Sequence, residues 1–298
     1  MFTKPEKFLS GLLLATTIVL QLNCAAAETS KSDLPEKPSR KKQARWTTEL
    51  TPGVKMELVW IKGGTFRMGS PDSEIGRWGS WGEKQRKVVI TRPYYIAVYE
   101  TTQEQYMAVM DRNPSKVKGE NLPVTNVSWQ DAMAFCEQLN RLTGKTRPKN
   151  YKFTLPTEAQ WEYACRAGTN KALNNNKDLT DSERCRNLDE VGWYAANSQG
   201  KPHPVGQKKP NKWGLYDMHG NAWEFCLDYW AKNPDPCDKI DPQGPSSGEN
   251  HVKKGGGFYL KAERCRSASR SMQNDSQWYM SFRVALVYAP EKSSRKHK

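Results

Sequence analysis

The sequence predicts an α+β domain with little regular secondary structure, and three observations carry that prediction. The composition comes first: 11 Trp, 12 Tyr, 21 Gly and 18 Pro stand in 298 residues of which only 37% are hydrophobic. So many turn formers and aromatic anchors, with so few aliphatic stripes, argue against a helical bundle, a solenoid or a multi-span membrane protein. Second, only two or three segments combine a helical period with a capping residue. Third, the remainder reads as short strands between long aromatic-studded loops, which suits helices packed beside pieces of sheet. The length fits one large domain or two small ones.

The N-terminus reads as an export signal. Lys4 and Lys7 form a basic start, residues 12–22 (LLLATTIVLQL) are apolar but too short to span a bilayer, and Ala25, Ala26 and Ala27 supply a cleavage pattern. A lipid-modified Cys24 competes, but Gln21 and Asn23 stand where a lipoprotein signal has an aliphatic and a small residue. Residues 1–27 are therefore expected to be removed from an exported protein, periplasmic or secreted, with no transmembrane segment left. Residues 28–53 are charged, Pro-dotted and poor in aliphatics, a disordered basic linker.

The body follows in order. Residues 56–68 (MELVWIKGGTFRM) alternate apolar and polar around Gly63-Gly64, predicting strand–turn–strand. Residues 88–100 (VVITRPYYIAVYE) predict more strand, broken or edged at Pro93. Thr101 or Thr102 caps a helix that Asn113-Pro114 ends, and Ser128 caps a second over 129–144 with Ala132, Phe135, Cys136 and Leu139 on one face. After a short strand, Thr157 caps a third helix, AQWEYACRA. The rest is loop and short strand, and long loops of this kind point to function or to fixing by ligands and disulfides.

The net charge of +14 invites an anionic partner. Three units of it sit in residues 28–55 and three in the C-terminal tail 290–298, so much of the excess belongs to the ends, and a specific nucleic-acid site is not expected. Removal of residues 1–27 leaves six cysteines, Cys136, Cys165, Cys185, Cys226, Cys237 and Cys265. An even number in an oxidising compartment suggests disulfides whose pairing spacing alone does not choose. His203, His219 and His251 match no metal spacing and read as single hydrogen-bonding groups. Lys253-Lys254 read as a solvated strand edge, Asn274-Asp275-Ser276 as a glycosylation sequon, and Trp78, Trp81 and Trp278 as the best surface aromatics.

Eight segments then appear in order: GGTFRMGS (63–70), ETTQEQY (100–106), PVTNVSWQDAMAFC (123–136), LPTEAQWEYACRAG (155–168), PVG (204–206), NKWGLYDMHGNAWEFCLD (211–228), GGGF (255–258) and CRSASR (265–270). Together, over residues 54–289, they resemble the formylglycine-generating enzyme, or sulfatase-modifying factor, family. The resemblance implies that family's α+β fold of the C-type-lectin-like superfamily, in one domain.

It also implies an activity, oxidation of a sulfatase cysteine to formylglycine by two copper(I)-binding cysteines. Soft thiolates suit that ion. In the family pattern the first of these cysteines falls on Leu260, the second on Cys265, and a serine on Gly257. Aligning instead on the run 266–270 removes the second cysteine as well. The expectation is thus a non-oxidising paralogue that binds a peptide or glycan through Phe258, Tyr259, Leu260, Arg266, Arg270 and Arg283, with copper absent. The alternative is a true sulfatase maturation enzyme using Cys265 or another mechanism. Partners would be a sulfatase, another exported protein or a glycan, and the protein a monomer.

The family's calcium segment maps onto Asp217, Gly220, Ala222 and Glu224, with Asp in place of the usual Asn, and its hard oxygen donors suit Ca2+. The resemblance pairs Cys165 with Cys265 in a disulfide, two buried free thiols being the alternative. It leaves Cys136 unpaired because its partner position is Val284. Cys226–Cys237 is a further guess.

Overall fold

The structure, a computed structural model, describes residues 45–272 and 278–290. The export signal, most of the linker, the sequon and the tail from 291 lie outside the described residues. The linker ends earlier than expected, because β1 (Arg45–Thr51) is already a strand paired with β2 (Val54–Ile61). Its Thr48 and Leu50 are buried, so this stretch contributes side chains to the core.

Gly63-Gly64 does not make a hairpin. β2 pairs with β1 and with β5 (Tyr94–Ala97), whereas β3 (Gly64–Met68) pairs with β4 (Arg86–Ile90) in a separate ribbon. The two glycines carry the chain from one sheet to the next. A Cβ on Gly63 would stand 2.6 Å from the Ile90 carbonyl oxygen, so the crossing needs a residue without one. Pro93 falls in the break between β4 and β5, as its missing N–H requires.

The helices are α1 (Gln103–Met110), α2 (Trp129–Leu142), α3 (Glu158–Arg166) and the single turn α4 (Arg186–Asp189). The first three start at Thr102, Ser128 and Thr157. Each is closed by a capping box whose third residue is Gln105, Asp131 or Gln160. Such a box satisfies two otherwise orphaned N–H groups. β6 (Tyr151–Thr154) precedes α3, and the later strands are β7 (Gly192–Trp193), β8 (His219–Gly220), β9 (Trp223–Tyr229), β10 (His251–Lys254), β11 (Arg270–Met272), β12 (Met280–Ser281) and β13 (Ala285–Tyr288).

The largest sheet has the order β1-β2-β5-β13-β6, so the strand nearest the C-terminus lies between two earlier ones. It is covered on both faces. Alternation along β2 sends Leu58 towards α2 with Phe135 and Leu139, and Val59 towards α3 with Trp161 and Ala164. The second sheet, β11-β10-β9-β12, carries the segments that resemble the family's site.

Replacing Ser128 by Ala removes the cap of α2 and is expected to cost about 1 kcal/mol. In a domain of this size that lowers Tm by roughly 2–4 °C. Thermal denaturation followed by circular dichroism measures it, and an unchanged Tm would show that packing alone starts this helix.

Candidate functional site

The candidate calcium segment runs from Asp217, just before β8, through Gly220 in β8 and the connecting residues 221–222 to Glu224 in β9. Asp217, Gly220 and Asn221 all have positive φ, at 57°, 93° and 57°. Gly220 is obligatory, since a Cβ there would meet the Trp193 carbonyl oxygen at 2.0 Å. Residues 203–206 lace onto the turn: the His203 N–H donates to Asn221 Oδ1 at 3.0 Å and the Gly206 N–H to Asp217 Oδ2 at 2.7 Å. The glycine loop after β10 closes the other side, where the Gly220 N–H donates to the Gly255 carbonyl at 2.7 Å and the Phe258 N–H to the Asn221 carbonyl at 2.9 Å.

Asp217 and Glu224 are both buried but differ in their partners. Glu224 accepts from Arg283 Nε at 2.6 Å, Arg283 Nη2 at 2.7 Å and Trp161 Nε1 at 2.7 Å, so both of its oxygens are engaged. Asp217 Oδ1 is buried with no hydrogen-bond partner. Burial raises the Asp217 carboxyl to about 6, against the Gly206 N–H and Arg283, which lower it. An orphaned interior oxygen among tight-turn backbone carbonyls suits a hard cation. Among the described residues no group of three or more His, Cys, Asp or Glu is gathered as a metal cluster. A cation at this turn would therefore draw on backbone oxygen as well as on carboxylates.

The two cysteines expected to bridge are buried free thiols, so that disulfide is not formed. Cys165 Sγ faces the Met218 carbonyl and His219 Nε2 at 3.8 Å each and Ser267 Oγ at 3.6 Å, while Cys265 Sγ points to the Lys261 carbonyl at 3.9 Å. Burial pushes both thiols up to about 12. Cys136, Cys185 and Cys226 are likewise buried free thiols, which removes the Cys226–Cys237 guess.

The expected groove divides in two. Arg266, Arg270 and Arg283 are buried and ion-paired, and of the three only Arg270 reaches the acid-lined cavity of 740 Å³. Arg266 meets Glu74 at 2.7 Å and Glu83 at 2.8 Å, Arg270 meets Glu158 at 2.7 Å, and Arg283 meets Glu224. Lys253 and Lys254 are no solvated edge either, because β10 lies between β9 and β11. Lys254 is fully buried against Glu162 at 2.9 Å. Burial lowers the Lys253 amine to about 8, with Arg264 adding to the effect.

The aromatic half of the groove is present. Tyr259, exposed at 37%, packs against Tyr279 with ring centres 4.1 Å apart and planes tilted by 35°, Phe258 lies beside it at 5.4 Å, and Leu260 is half-buried. Trp78, Trp81 and Trp230 form a half-buried chain at 5.6 and 5.5 Å. Arg264 lies 4.0 Å above Trp78 and Arg270 4.2 Å above Trp230. Trp278 is exposed, with Lys116 over its ring. The three histidines make local contacts. His203 reaches the Ser198 carbonyl at 2.8 Å and His219 Nδ1 the Cys265 carbonyl at 2.7 Å, and His251 stacks on Trp129 at 3.8 Å.

Sequence reasoning missed the acids beneath this face. A cavity of 740 Å³ is lined by Glu158, Asp228, Asp238, Arg86 and Arg270 among others. Burial, then the neighbouring Glu158 charge, raises Asp228 from 3.8 to about 8. Glu162 goes the other way: burial opposes its charge, but Lys254 and Arg166 outweigh that and hold it at about 2. Also missed was Glu100, fully buried with neither carboxylate oxygen partnered. The signal available for Glu100, Glu158, Glu162 and Asp228 is their place inside the ordered family segments, which does not say that they are buried.

The model of the sulfatase-modifying factor enzyme 1-like domain matches residues 48–287. The chain belongs to this family. The bovine formylglycine-generating enzyme is 33% identical over 180 residues, covering 56% of this chain and 45% of that protein. The chaperone protein LppX of Paenibacillus barcinonensis is 32% identical over 226 residues, covering 61% of this chain and 74% of that one. The chain thus spans about half the length of the bovine formylglycine-generating enzyme it matches. Among solved structures, Treponema denticola variable protein 1 superposes with a TM-score of 0.68 at 28% identity, over 81% of this chain and 98% of that one. PvdO from Pseudomonas aeruginosa gives 0.66 at 23% identity over 83% of this chain and 99% of that one, a likeness of fold. The expected fold is confirmed.

Two titrations follow. Because Asp228 holds its proton up to about pH 8 when folded and only to about 4 when unfolded, stability falls as pH rises through that window. Asp228→Asn removes this slope, so its stability relative to the parent should grow between pH 5 and 8 in urea melts; a constant difference would refute the assignment. Glu162→Gln leaves Lys254 and Arg166 without their shared carboxylate and should cost roughly 3–5 kcal/mol at pH 7. That loss should shrink as pH falls towards 2 and the parent's Glu162 takes up its own proton.

Proposed function

We propose that this chain is a non-oxidising member of the sulfatase-modifying factor family that works as an exported binding or accessory module. The observation that carries this reading is the chemistry at the two expected thiolate positions: one is Leu260, and the other, Cys265, is a buried thiol raised to about 12. A nucleophilic or copper-binding cysteine needs an accessible thiolate, and a copper(I) site of this kind needs two.

The binding surface is the aromatic face of Trp78, Trp81, Trp230, Tyr259 and Tyr279, with Arg264 laid over it. Flat rings beside a guanidinium suit an extended peptide or a glycan, which stacks on the rings and meets the cation through its polar groups. The cation held at the turn would be calcium. The resemblance assigns it to Asp217, the carbonyls of Gly220 and Ala222, and Glu224, where it would fix the turn that carries the aromatic loop. The basic start, apolar stretch and alanines of residues 1–27 support a periplasmic or secreted location, and the reading takes the protein as a monomer with a sulfatase, another exported protein or a glycan as partner. The second reading, a sulfatase maturation enzyme that converts a cysteine to formylglycine, is supported by the names of several relatives.

Co-expression with a sulfatase separates the two readings. Under the first, the motif cysteine keeps its mass in the intact peptide, and copper(I) titration shows no tight two-thiolate binding. Conversion of that cysteine to formylglycine would overturn the binding-module reading.

A further inference from the structure

Arg166, Lys254, Arg266, Arg270 and Arg283 each hold a carboxylate, but two cations at the aromatic face do not. Lys253 precedes Lys254 on β10, and the alternation of the strand sends the two side chains to opposite faces of the sheet. Lys254 takes Glu162, whereas Lys253 comes to the Trp223 ring of β9, its amine 5.3 Å from the ring centre. Arg264 stands on the single 3-10 turn Ala262–Cys265 and reaches the same ring, its guanidinium carbon 6.0 Å from the centre. That guanidinium also lies 4.0 Å from the centre of Trp78 and 5.8 Å from that of Trp81.

Among the described residues neither cation is ion-paired. The one charge that acts on the Lys253 amine is that of Arg264, and it repels. The carboxylates that act on Arg264 are Glu83, which gives both oxygens to Arg266, and Glu263, its neighbour in the chain. Burial does not remove either charge at pH 7: a guanidinium keeps its proton, and an amine lowered to about 8 is still mostly protonated. An anionic group between the two would relieve their repulsion and accept charged hydrogen bonds from both. Rings stand around the pair, with Trp78 and Trp81 beside Arg264 and with Tyr259, on whose hydroxyl Arg264 also acts, packed on Tyr279. Depth selects the anion. Lys253 is 8% exposed and Trp223 2%, while Tyr259 is open to solvent. A carboxylate on a flexible Asp or Glu side chain reaches such an amine, whereas a charge fixed directly to a sugar ring is held out by the ring itself.

We infer that Lys253 and Arg264 form an anion-binding pair within the aromatic face, and that its occupant is an acidic segment of a partner protein, whose carboxylate enters between the two cations while its backbone lies along the rings. This rests on the binding-module reading and names the chemistry that such a module selects.

The test offers the full chain two libraries of short random peptides, identical except that one fixed central residue is Glu in the first and Gln in the second, together with an array of neutral and uronic-acid glycans. The parent should retain the Glu library about ten-fold more strongly than the Gln library, the effect of one charged hydrogen bond. Lys253→Met and Arg264→Met should each abolish that preference, and Arg264→Lys should keep part of it. The Tm of Lys253→Met should equal or exceed the parent's, because an unpaired interior cation is gone, and this readout also shows that the variant folds. Lys145→Ala, at an exposed cation beyond α2, should bind as the parent does, which separates the pair from the general basic charge. Peptides bound without preference for Glu, or a preference that survives both Met variants, would overturn the anion pair while the binding-module reading stands. Capture of uronic-acid glycans in place of peptides would overturn the acidic segment as occupant. If neither peptides nor glycans bind, the inference and the binding-module reading fall together.

Discussion

The structure depends on pairing charges inside a core that has few aliphatic side chains with which to fill itself. Arg166 and Lys254 share Glu162, Arg270 takes Glu158, Arg266 takes Glu83 and Glu74, and Arg283 takes Glu224. Most of these pairs join segments far apart in sequence, so each one closes a long loop. Removing one partner from such a pair strands the other in a low dielectric, which makes the network hard to dismantle piecewise. Three of the four acid centres lie on α3 or β9, and β10 runs beside both. A helix whose Glu158, Glu162 and Arg166 are all buried holds its place by these charges as much as by Trp161 and Ala164.

That constraint explains how much of the molecule could be read beforehand. The helices were legible because their signals are local: Thr102, Ser128 and Thr157 cap through bonds to residues three positions on, and the face of α2 follows from its period. Membership of the fold was legible from ordered segments that cross the whole chain. The destination of a charged side chain was not. Arg266, Arg270, Arg283 and Lys254 read as surface cations because the carboxylates they pair with lie far from them in sequence. Their carboxylates arrive from the loop around residues 74–83, from α3 and from β9. In the same way Gly63-Gly64 carries the signature of a hairpin, and only the pairing of β2 with β5 shows that it changes sheets.

The candidate site inherits this division. Its backbone was visible in the sequence, since the glycines and the turn 217–222 announce positive φ and close approach. Its chemistry was visible only in part. Asp217 and Glu100 both stood inside recognisable segments, but they lie more than a hundred residues apart, and nothing local to either shows that each is buried. Cys165 and Cys265 read as partners by resemblance. Cys165 instead faces the Met218 carbonyl, His219 and the Ser267 hydroxyl, and Cys265 the Lys261 carbonyl, both as buried free thiols.

The distribution of charge also bears on what the protein meets. The excess of basic residues is divided between the chain ends and the surface, whereas the interior around Glu100, Asp217 and Glu224 is acidic beyond its own counter-ions. Surface cations are screened over about 10 Å at ordinary salt and steer partners only weakly, whereas unbalanced interior charge is screened far less. Burial raises the Glu100 and Asp217 carboxyls, so among the described residues this interior is a set of titratable groups without ion-pair partners of their own. It lies directly beneath the loop that presents Phe258 and Tyr259, tied there by the hydrogen bonds from Gly220 to Gly255 and from Phe258 to Asn221. Whatever neutralises those carboxylates also sets how rigidly the aromatic face is presented. Charge balance in the core and recognition at the surface are thus parts of one mechanical unit.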